Sequence, residues 1–266
     1  MNKEVLKNTS EHISYLLSID GDELTHNRHR TLINGTGSFN KVFPKIELLK
    51  QYQQWLGARM TVYPDTVSKL LQNIDFLYHN GINQFIIGIC YGPQWDNSSL
   101  DIYEKQLKEV GNYYKNKVHN NEQIRMTLFE KKKSNCYENL WGCSAGRNGM
   151  AIASNGDIYP CSKFTGLEKY SCPEFLLGNV NIGITNLIGR EKLFTITNKN
   201  FKQCEQCNES DSCTGGCPAE NYNQNRSIYI PCKDQCEITK IQNRVLRMFW
   251  ADQEMVKEPV IPSNWH

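Results

Sequence analysis

The sequence predicts an α/β fold in the first half of the chain and a loop-rich, cysteine-rich domain in the second half. Two observations predict this. The first 130 residues alternate short apolar runs with segments of helical periodicity, a pattern that implies parallel strands joined by crossover helices. From about residue 135 to residue 239 the chain is instead rich in Cys, Gly, Asn and Pro and has few periodic runs. Only about three strand–helix units are present, too few to close a barrel, so we predict part of a barrel or an open layer.

Short apolar runs bounded by turn residues mark the strands of the first half. The predicted strands are 13–19, 59–63 and 84–90. The predicted helices are 39–56, a segment from 67 to a stop at Gly81, and 100–114. Ser38 is a candidate N-cap for the first helix, and Pro44 can delay its start. Gly81 suits the left-handed residue that ends a helix.

A β-hairpin is the clearest element of the second half. The runs 150–154 and 157–161 flank Asn155-Gly156, which favours a two-residue turn with positive φ at both positions. This turn would bring Cys161 back toward Cys143. A helix is predicted from Cys236 onward, with apolar residues at helical spacing as far as Phe249.

Composition and charge exclude several classes of function. The chain has 266 residues, 39% of them hydrophobic, and 30 basic against 28 acidic residues give a formal net charge of +2. Because positive and negative charges nearly cancel, the chain as a whole offers no strong attraction for nucleic acid or for an anionic membrane. The longest apolar run, around 85–90, is too short to cross a bilayer, and the first residues do not resemble a signal peptide. We therefore expect a cytoplasmic protein without nucleic-acid or membrane partners.

The cysteines give the strongest signal in the sequence. The segment Cys204-x2-Cys207-x5-Cys213-x3-Cys217 follows Cys143 and Cys161 and precedes Cys232 and Cys236. Four thiols within fourteen residues of polar loop indicate metal ligands rather than packing, and the domain is expected to be held by its metals rather than by its core. Disulfides are disfavoured by a reducing compartment and by the odd total of 11 cysteines. Structural zinc needs only four ligands, whereas eight or nine clustered thiols suit two iron–sulfur sites; zinc remains the alternative.

The cysteine array resembles that of a known family. Together with Gly156, Pro160-Cys161, Leu177-Gly178-Asn179-Val180 and the segment 213–222, it is similar to the SPASM domain of radical S-adenosylmethionine (SAM) enzymes that modify peptides and proteins. In the first half, Ser18-Ile19-Asp20-Gly21, followed by His26-Asn27, Arg30 and Gly37-Ser38-Phe39, looks like the fourth strand and following helix of that family's barrel. Met60-Thr61-Val62-Tyr63-Pro64 looks like the fifth strand.

This resemblance implies a specific architecture. The first part, 1–130, would be the C-terminal part of a partial (β/α) TIM-like barrel. The second, 131–245, would be a loop-rich SPASM iron–sulfur domain, and 246–266 would be a C-terminal tail. A peptide or protein substrate is the implied partner.

The resemblance also implies the ligands of two [4Fe–4S] clusters. Cys143, Cys161 and Cys217 would bind the first cluster, with Cys136 as the fourth ligand. Cys204, Cys207 and Cys213 would bind the second. Its closing ligand is either Cys236 or Cys232, and Cys236 resembles the family's closing cysteine more closely.

Three residues of the first half are implied to lie near SAM or the substrate. They are Ser18, Asp20 and Arg30, by their place in and after the Ser-Ile-Asp-Gly segment. The alternative is that Asp20-Gly21 is an ordinary turn and Arg30 a surface cation.

The sequence departs from the family in one defining respect. It contains no Cys-x3-Cys-x2-Cys triplet, and the segment that looks like the fourth strand begins near residue 13. We therefore expect that this chain alone does not cleave SAM, which would be used only by the complete enzyme. We favour a fragment of a maturase, because half a barrel exposes strand edges. A separate chain that supplies the missing N-terminal half, and a noncatalytic iron–sulfur electron-transfer or peptide-binding module, remain the alternatives.

The residue after Cys161 bears on the substrate. Sulfatase-maturating members of the family carry an aspartate there, which accepts a proton, whereas this chain has Ser162. The sequence therefore predicts a peptide oxidation or crosslink other than formylglycine formation.

Overall fold

The computed structural model describes residues 3–130, 143–166, 172–196, 200–210, 213 and 215–251. The chain divides into two compact units, unit 1 (residues 1–132 and 244–266) and unit 2 (residues 133–243). Within the described ranges, no helix combines the length and the apolar character needed to cross a bilayer.

Unit 1 is built around a parallel four-stranded sheet whose strands follow chain order. The strands are β1 (Leu16–Ser18), β2 (Gly57–Val62), β3 (Gln84–Ile89) and β4 (Arg125–Met126). The helices of this unit are α1 (Lys3–Thr9), α2 (Glu23–His29), α3 (Phe39–Val42), α4 (Lys45–Lys50), α5 (Leu70–His79) and α6 (Asn97–His119). Each neighbouring pair of strands is parallel, with Leu16 opposite Gly57 and Gly57 opposite Gln84. The predicted α/β class is confirmed.

Two elements of unit 1 are shorter than predicted, and each difference has its own cause. The Gln53 side chain accepts from the Tyr15 backbone N–H at 2.9 Å and donates to the Tyr15 carbonyl at 2.9 Å. Both backbone groups of Tyr15 are thereby used, so strand pairing begins only at Leu16 rather than at residue 13. The predicted helix 39–56 is likewise split, because Pro44 lacks an N–H and stands before α4 as its N-cap.

The core of unit 1 lies between the sheet and its helices. Helix α6 buries a stripe of residues three and four apart, Tyr103, Leu107, Val110 and Tyr114. The ring of Tyr114 lies 5.9 Å from that of Phe129 and 6.1 Å from that of Phe249, measured between centroids. Such burial of whole aromatic side chains supplies a large hydrophobic stabilisation.

Unit 2 contains an antiparallel four-stranded sheet, again in chain order. Its strands are β5 (Ala151–Ile152), β6 (Asp157–Tyr159), β7 (Gly178–Asn179) and β8 (Gly183–Ile184). The helices are α7 (Ser162–Thr165), α8 (Leu187–Phe194), α9 (Pro218–Asn225) and α10 (Lys233–Ala251), the last of which continues past the unit boundary. The predicted hairpin is present as the pair β5 and β6.

The turn of this hairpin differs from the predicted type. Gly156 has a φ of +89°, whereas Asn155 does not have positive φ. The Gly156 N–H donates to the Ala153 carbonyl at 2.9 Å, and the Ala153 N–H donates to the Asp157 carbonyl at 2.8 Å. This is a three-residue loop with one left-handed glycine, so the predicted two-residue turn is wrong. Asn155 contributes through its side chain, whose Oδ1 accepts the Asp157 N–H at 3.1 Å.

Unit 2 also has a hydrophobic core of its own, which differs from the expectation that its metals alone would hold it. Phe164 and Phe175 are fully buried with ring centroids 4.8 Å apart, and Tyr222 meets Phe175 edge-on at 5.2 Å. Partly buried cysteines pack against this core, namely Cys143, Cys161, Cys204 and Cys217. The core therefore positions these thiols.

Candidate functional site

Cys143 and Cys161 lie on segments that are hydrogen-bonded to each other. The Gly146 N–H, three residues after Cys143, donates to the Pro160 carbonyl at 3.0 Å. The Ala145 N–H points at the Cys143 sulfur, with an N–Sγ distance of 3.4 Å. The hairpin thus brings the chain at Cys161 beside the Cys143 loop, as the sequence predicted.

Cys161 and Cys217 each precede a helix, and the two helices are joined by an ion pair. Cys161 stands before α7 and Cys217 before α9. The Lys163 Nζ of α7 lies 2.8 Å from the Glu220 Oε1 of α9. Burial raises the pKa of the Cys217 thiol, and nearby backbone N–H groups and Lys163 partly offset this effect. The three described members of the first predicted set therefore lie on connected segments of unit 2.

The second predicted set is linked electrostatically. Burial raises the pKa of Cys204, and the neighbouring Cys213 and Cys207 raise it further. Burial also raises the pKa of Cys236 to about 11, and Cys204 and Cys213 add to that shift. Local hydrogen bonds shape the loop, since the Cys207 N–H donates to the Cys204 carbonyl at 3.1 Å. Burial and the neighbouring thiols make Cys204 and Cys236 harder to ionise, and a cationic metal centre would stabilise the thiolate forms of these two residues.

Cys232, the other candidate for the closing position, has a different environment. Its side chain is 1% exposed, and its backbone N–H donates to Asn221 Oδ1 at 2.9 Å. Burial raises the pKa of Cys232, the backbone N–H groups of Gln235 and Asp234 partly offset this effect, and the acidic Asp234 and Glu220 add to it. Cys232 also contributes to the raised pKa of Cys236, but Cys204 and Cys213 contribute more, so Cys236 is the candidate that the rest of the second set affects most.

The spacing of the donors bears on the kind of metal site. Among the described residues, no three His, Cys, Asp or Glu side chains are grouped so as to hold one metal ion. Thiolates on a single zinc ion lie roughly 4 Å from one another, because each is about 2.3 Å from the metal. A [4Fe–4S] cluster takes one thiolate on each iron, which spreads the sulfur atoms further apart. Cys136, the remaining predicted ligand of the first set, lies outside the described residues. The free, partly buried thiols are the soft donors that an iron–sulfur cluster requires.

Two amide side chains support these cysteines and were not singled out from the sequence. Asn221 is fully buried, and its Nδ2 donates to the carbonyls of Gly215 at 2.8 Å and Ile228 at 3.2 Å. Gln235 accepts the Cys217 N–H through Oε1 at 2.7 Å. Both fall inside or near the cysteine motif, but amides carry no spacing signal that reveals such contacts in advance.

The carboxyl end of the parallel sheet holds a second group of polar residues. Asp20 and Arg30 form a two-point ion pair, with Nε–Oδ2 at 2.6 Å and Nη2–Oδ1 at 2.8 Å. Asp20 Oδ1 also accepts the Thr61 N–H at 2.7 Å, which ties the end of β1 to β2. The bond to Asp20 raises the pKa of Arg30 further. Ser18 is the exposed last residue of β1. The structure thus joins Asp20 to Arg30, and Ser18 lies two residues before Asp20 in the chain.

His26 and Ser38 close a ring of hydrogen bonds around this ion pair. Ser38 Oγ donates to the Arg30 carbonyl at 2.9 Å, so His26 Nε2 must donate to Ser38 Oγ at 2.9 Å. His26 Nδ1 accepts the Asp20 N–H at 3.4 Å. Both contacts require a neutral ring with its proton on Nε2, and burial lowers the pKa of His26 accordingly. Ser38 was a candidate N-cap, but its hydroxyl makes no capping bond to α3.

Tyr63 directly follows β2 and Cys90 directly follows β3, so both residues lie at the same edge of the sheet. Burial, reinforced by a hydrogen bond to Cys90, raises the pKa of Tyr63 to about 12. The ring of His29 stacks on Tyr63 with centroids 3.6 Å apart. Because the carboxyl ends of parallel strands carry the active sites of barrel enzymes, this edge is the natural place for a bound ligand in unit 1.

Comparisons with known proteins match the second half of the chain to a family model and most of the chain to relatives and solved structures. Residues 143–214 match the SPASM family model, described as an iron-sulfur cluster-binding domain. This match begins at Cys143 and includes Cys161, Cys204, Cys207 and Cys213.

Among curated proteins, the chain is similar to anaerobic sulfatase-maturating enzymes. It is 26% identical over 231 residues to the cysteine-type enzyme of Clostridium perfringens, an alignment that covers 76% of this chain and 57% of the relative. It is 23% identical over 247 residues to the serine-type enzyme of Bacteroides thetaiotaomicron, covering 78% of this chain and 56% of the relative. The chain therefore spans somewhat more than half the length of these relatives.

Solved structures share the fold. The protein anSMEcpe with bound AdoMet superposes with a TM-score of 0.68 at 20% identity, covering 97% of this chain and 70% of that chain. SuiB of Streptococcus suis bound to its precursor peptide SuiA gives a TM-score of 0.54 at 17% identity, covering 88% of this chain and 56% of that chain.

Proposed function

We propose that this chain is the C-terminal portion of a radical SAM/SPASM peptide-modifying enzyme and holds two auxiliary [4Fe–4S] clusters, as its similarity to the SPASM family model and to anaerobic sulfatase-maturating enzymes supports. Two groups of cysteines support the proposal: Cys143 and Cys161 lie on segments that are hydrogen-bonded to each other, and Cys204 and Cys213 raise the pKa of Cys236, all within or just beyond the segment that matches the cluster-binding domain.

We assign the ligands by these groups. Cys143, Cys161 and Cys217 bind the first cluster, with Cys136 as the fourth ligand. The second cluster is bound by Cys204, Cys207, Cys213 and Cys236. The electrostatic coupling of Cys236 to Cys204 and Cys213 supports it over Cys232 as the closing ligand. When bound, such clusters supply one-electron chemistry and a binding surface for substrate.

In unit 1, Arg30 is the proposed contact for an anionic group of SAM or of the substrate. Its side chain is 27% exposed, whereas that of Asp20 is 4% exposed. Asp20 therefore fixes the guanidinium from the buried side, and Arg30 presents its more accessible side at the carboxyl end of the sheet. Ser18, exposed at the end of β1, contributes a hydroxyl to the same edge.

In this proposal only the complete enzyme uses SAM. The 266-residue sequence has no Cys-x3-Cys-x2-Cys triplet to hold the cluster that cleaves SAM. The same observation favours a second candidate function, a noncatalytic iron–sulfur module that binds a peptide or passes electrons. The DNA directly upstream of the Met1 codon separates the two, because an in-frame triplet there supports the enzyme and its absence supports the module or a split protein.

A peptide is the proposed substrate class. The solved relatives anSMEcpe and SuiB are each described in complex with a peptide. Because Ser162 follows Cys161 without a carboxylate, the proposed reaction is a peptide oxidation or crosslink other than formylglycine formation.

Anaerobic purification followed by iron, sulfide and zinc analysis tests the cluster assignment. Two [4Fe–4S] clusters correspond to about eight irons and about eight sulfides per chain. Dithionite reduction should give the electron paramagnetic resonance (EPR) signals of reduced clusters. A colourless protein with stoichiometric zinc and no sulfide would refute the proposal.

A further inference from the structure

One buried amide in unit 2 has a donor without an acceptor. Gln235 is 4% exposed, and its Oε1 accepts the Cys217 N–H at 2.7 Å. Its Nε2 is buried and has no hydrogen-bond partner among the described residues. Buried donors in native proteins are almost always satisfied, so an unsatisfied one points to a group that completes the site.

The orientation of this amide is fixed by chemistry. A backbone N–H can only donate, so the atom that faces Cys217 N must be the carbonyl oxygen of Gln235. The NH₂ group consequently points away from that N–H while remaining beside Cys217. Rotation of the amide would place two donors against each other and leave the oxygen unpaired.

The approach of Gln235 to the backbone is accommodated by a glycine. A Cβ on Gly216 would lie 2.4 Å from Gln235 Oε1, and Gly216 has a φ of +84°. The neighbouring Asn221 contrasts with Gln235, since its Nδ2 donates twice and its Oδ1 accepts the Cys232 N–H. The loop is therefore ordered around both amides, and of these two it is Gln235 whose buried donor has no partner among the described residues.

We propose that Gln235 Nε2 donates an N–H···S hydrogen bond to a sulfur atom of the cluster held by Cys217. This inference rests on the proposed function, because it requires a cluster at that cysteine. Thiolate and sulfide sulfur are hydrogen-bond acceptors, and such bonds are among the factors that set the potential of an iron–sulfur cluster. Gln235 is thus a cluster-contacting residue and not a ligand.

The bond predicts the direction of a redox shift. A reduced cluster carries one more negative charge on its sulfur atoms, so an N–H donor stabilises the reduced form more than the oxidised form. Loss of the donor should therefore lower one of the two cluster potentials. We expect the ratio of reduced to oxidised cluster at a fixed potential to fall about tenfold, which is 59 mV for one electron.

The test uses the full chain with both clusters reconstituted. In Gln235→Met the amide is removed, and in Gln235→Glu an oxygen for the Cys217 N–H is retained while the NH₂ donor is lost. Gln224→Met removes an exposed amide from α9, the helix that follows Cys217, and serves as the control. EPR-monitored redox titration should show one lowered potential in both Gln235 variants and none in the control.

A second measurement on the wild type does not depend on a variant folding. With glutamine side-chain amides labelled with ¹⁵N, electron–nuclear double resonance should detect a ¹⁵N coupling to a reduced cluster, and Gln235→Met should lose it. Full iron and sulfide content without this coupling, and with unchanged potentials, would overturn the inference while leaving the two clusters established. Wild-type protein without iron and sulfide would instead contradict the proposed function.

Discussion

Buried Asp20 and half-buried Arg30 form a two-point ion pair that joins the end of β1 to the chain after α2. Replacement of Asp20 by asparagine keeps one oxygen for the Thr61 N–H but leaves Arg30 without its counter-charge. Removal of one partner of a largely buried pair is costly, and we expect the free energy of unfolding to fall by about 2–3 kcal/mol. Urea unfolding followed by tryptophan fluorescence measures this, because Trp55 and Trp95 are buried in unit 1.

The matched control is Asp65→Asn, which removes the carboxylate that pairs with Arg28 and His29 at the surface. The side chains of Arg28 and Asp65 are 58% and 37% exposed. Exposed pairs contribute little, so this variant should lose less than about 1 kcal/mol. Equal losses in the two variants would show that the Asp20–Arg30 pair is not a special stabilising feature of the sheet edge.

The buried ring of His26 predicts a pH dependence of stability. Its pKa is lowered from 6.5 in the folded protein, chiefly by burial. As the pH falls through 6.5, the unfolded chain takes up a proton at His26 that the folded protein does not, so stability decreases. The loss levels off below the lowered folded pKa, where both states are protonated.

The variant His26→Gln isolates this contribution. Glutamine retains an N–H for Ser38 but does not titrate, so its unfolding midpoint in urea should change less between about pH 7.5 and about pH 5.5 than that of the wild type. An identical pH dependence in the two proteins would contradict the assignment of a neutral His26.

The sequence was informative for features that impose a regular spacing on residues of one type. Apolar runs predicted β2 and β3 to within about two residues, and the spacing of cysteines 204 to 217 indicated a metal-binding loop. These signals work because a strand face or a helix face imposes a period on the chain. Cysteine spacing is similarly restrictive, since few other uses require so many thiols in a polar loop.

Contacts between a side chain and a distant backbone group could not be predicted, because they leave no periodic pattern in the sequence. Gln53 bonds both backbone groups of Tyr15, 38 residues earlier, and thereby shortens β1. Gln235 holds the N–H of Cys217, and His26 bridges Asp20 and Ser38. A single amide or imidazole carries no periodicity, so its partner is revealed only when the fold brings the two segments together.

The choice of closing ligand can be tested by removing each candidate in turn. Cys236→Ala should retain about half of the iron and sulfide, because only the second cluster loses a ligand. Cys232→Ala should retain nearly all of both, since the thiol of Cys232 is 1% exposed and its backbone N–H is held by Asn221. Chemical analysis after anaerobic reconstitution measures both variants.

Cys172→Ala controls for the loss of a buried thiol as such. Cys172 is 5% exposed and its sulfur lies 3.9 Å from the Phe164 carbonyl oxygen in the core of unit 2. This variant should keep its full iron content. The opposite pattern, with iron lost on replacement of Cys232 and kept on replacement of Cys236, would move the closing position to Cys232.

Two glycines of unit 2 make it possible to distinguish the cost of a left-handed backbone conformation from the cost of a steric clash. Gly216 and Gly183 have φ values of +84° and +77°, so alanine at either position costs about 1–2 kcal/mol in backbone strain. Only at Gly216 would the new Cβ collide, at 2.4 Å from Gln235 Oε1, whereas nothing lies within 4 Å at Gly183. Gly216→Ala should therefore displace Gln235 from the Cys217 N–H and lose iron faster than Gly183→Ala during dialysis against a chelator. Equal rates of iron loss would mean that the contact between Gln235 and Cys217 does not help to hold the cluster loop.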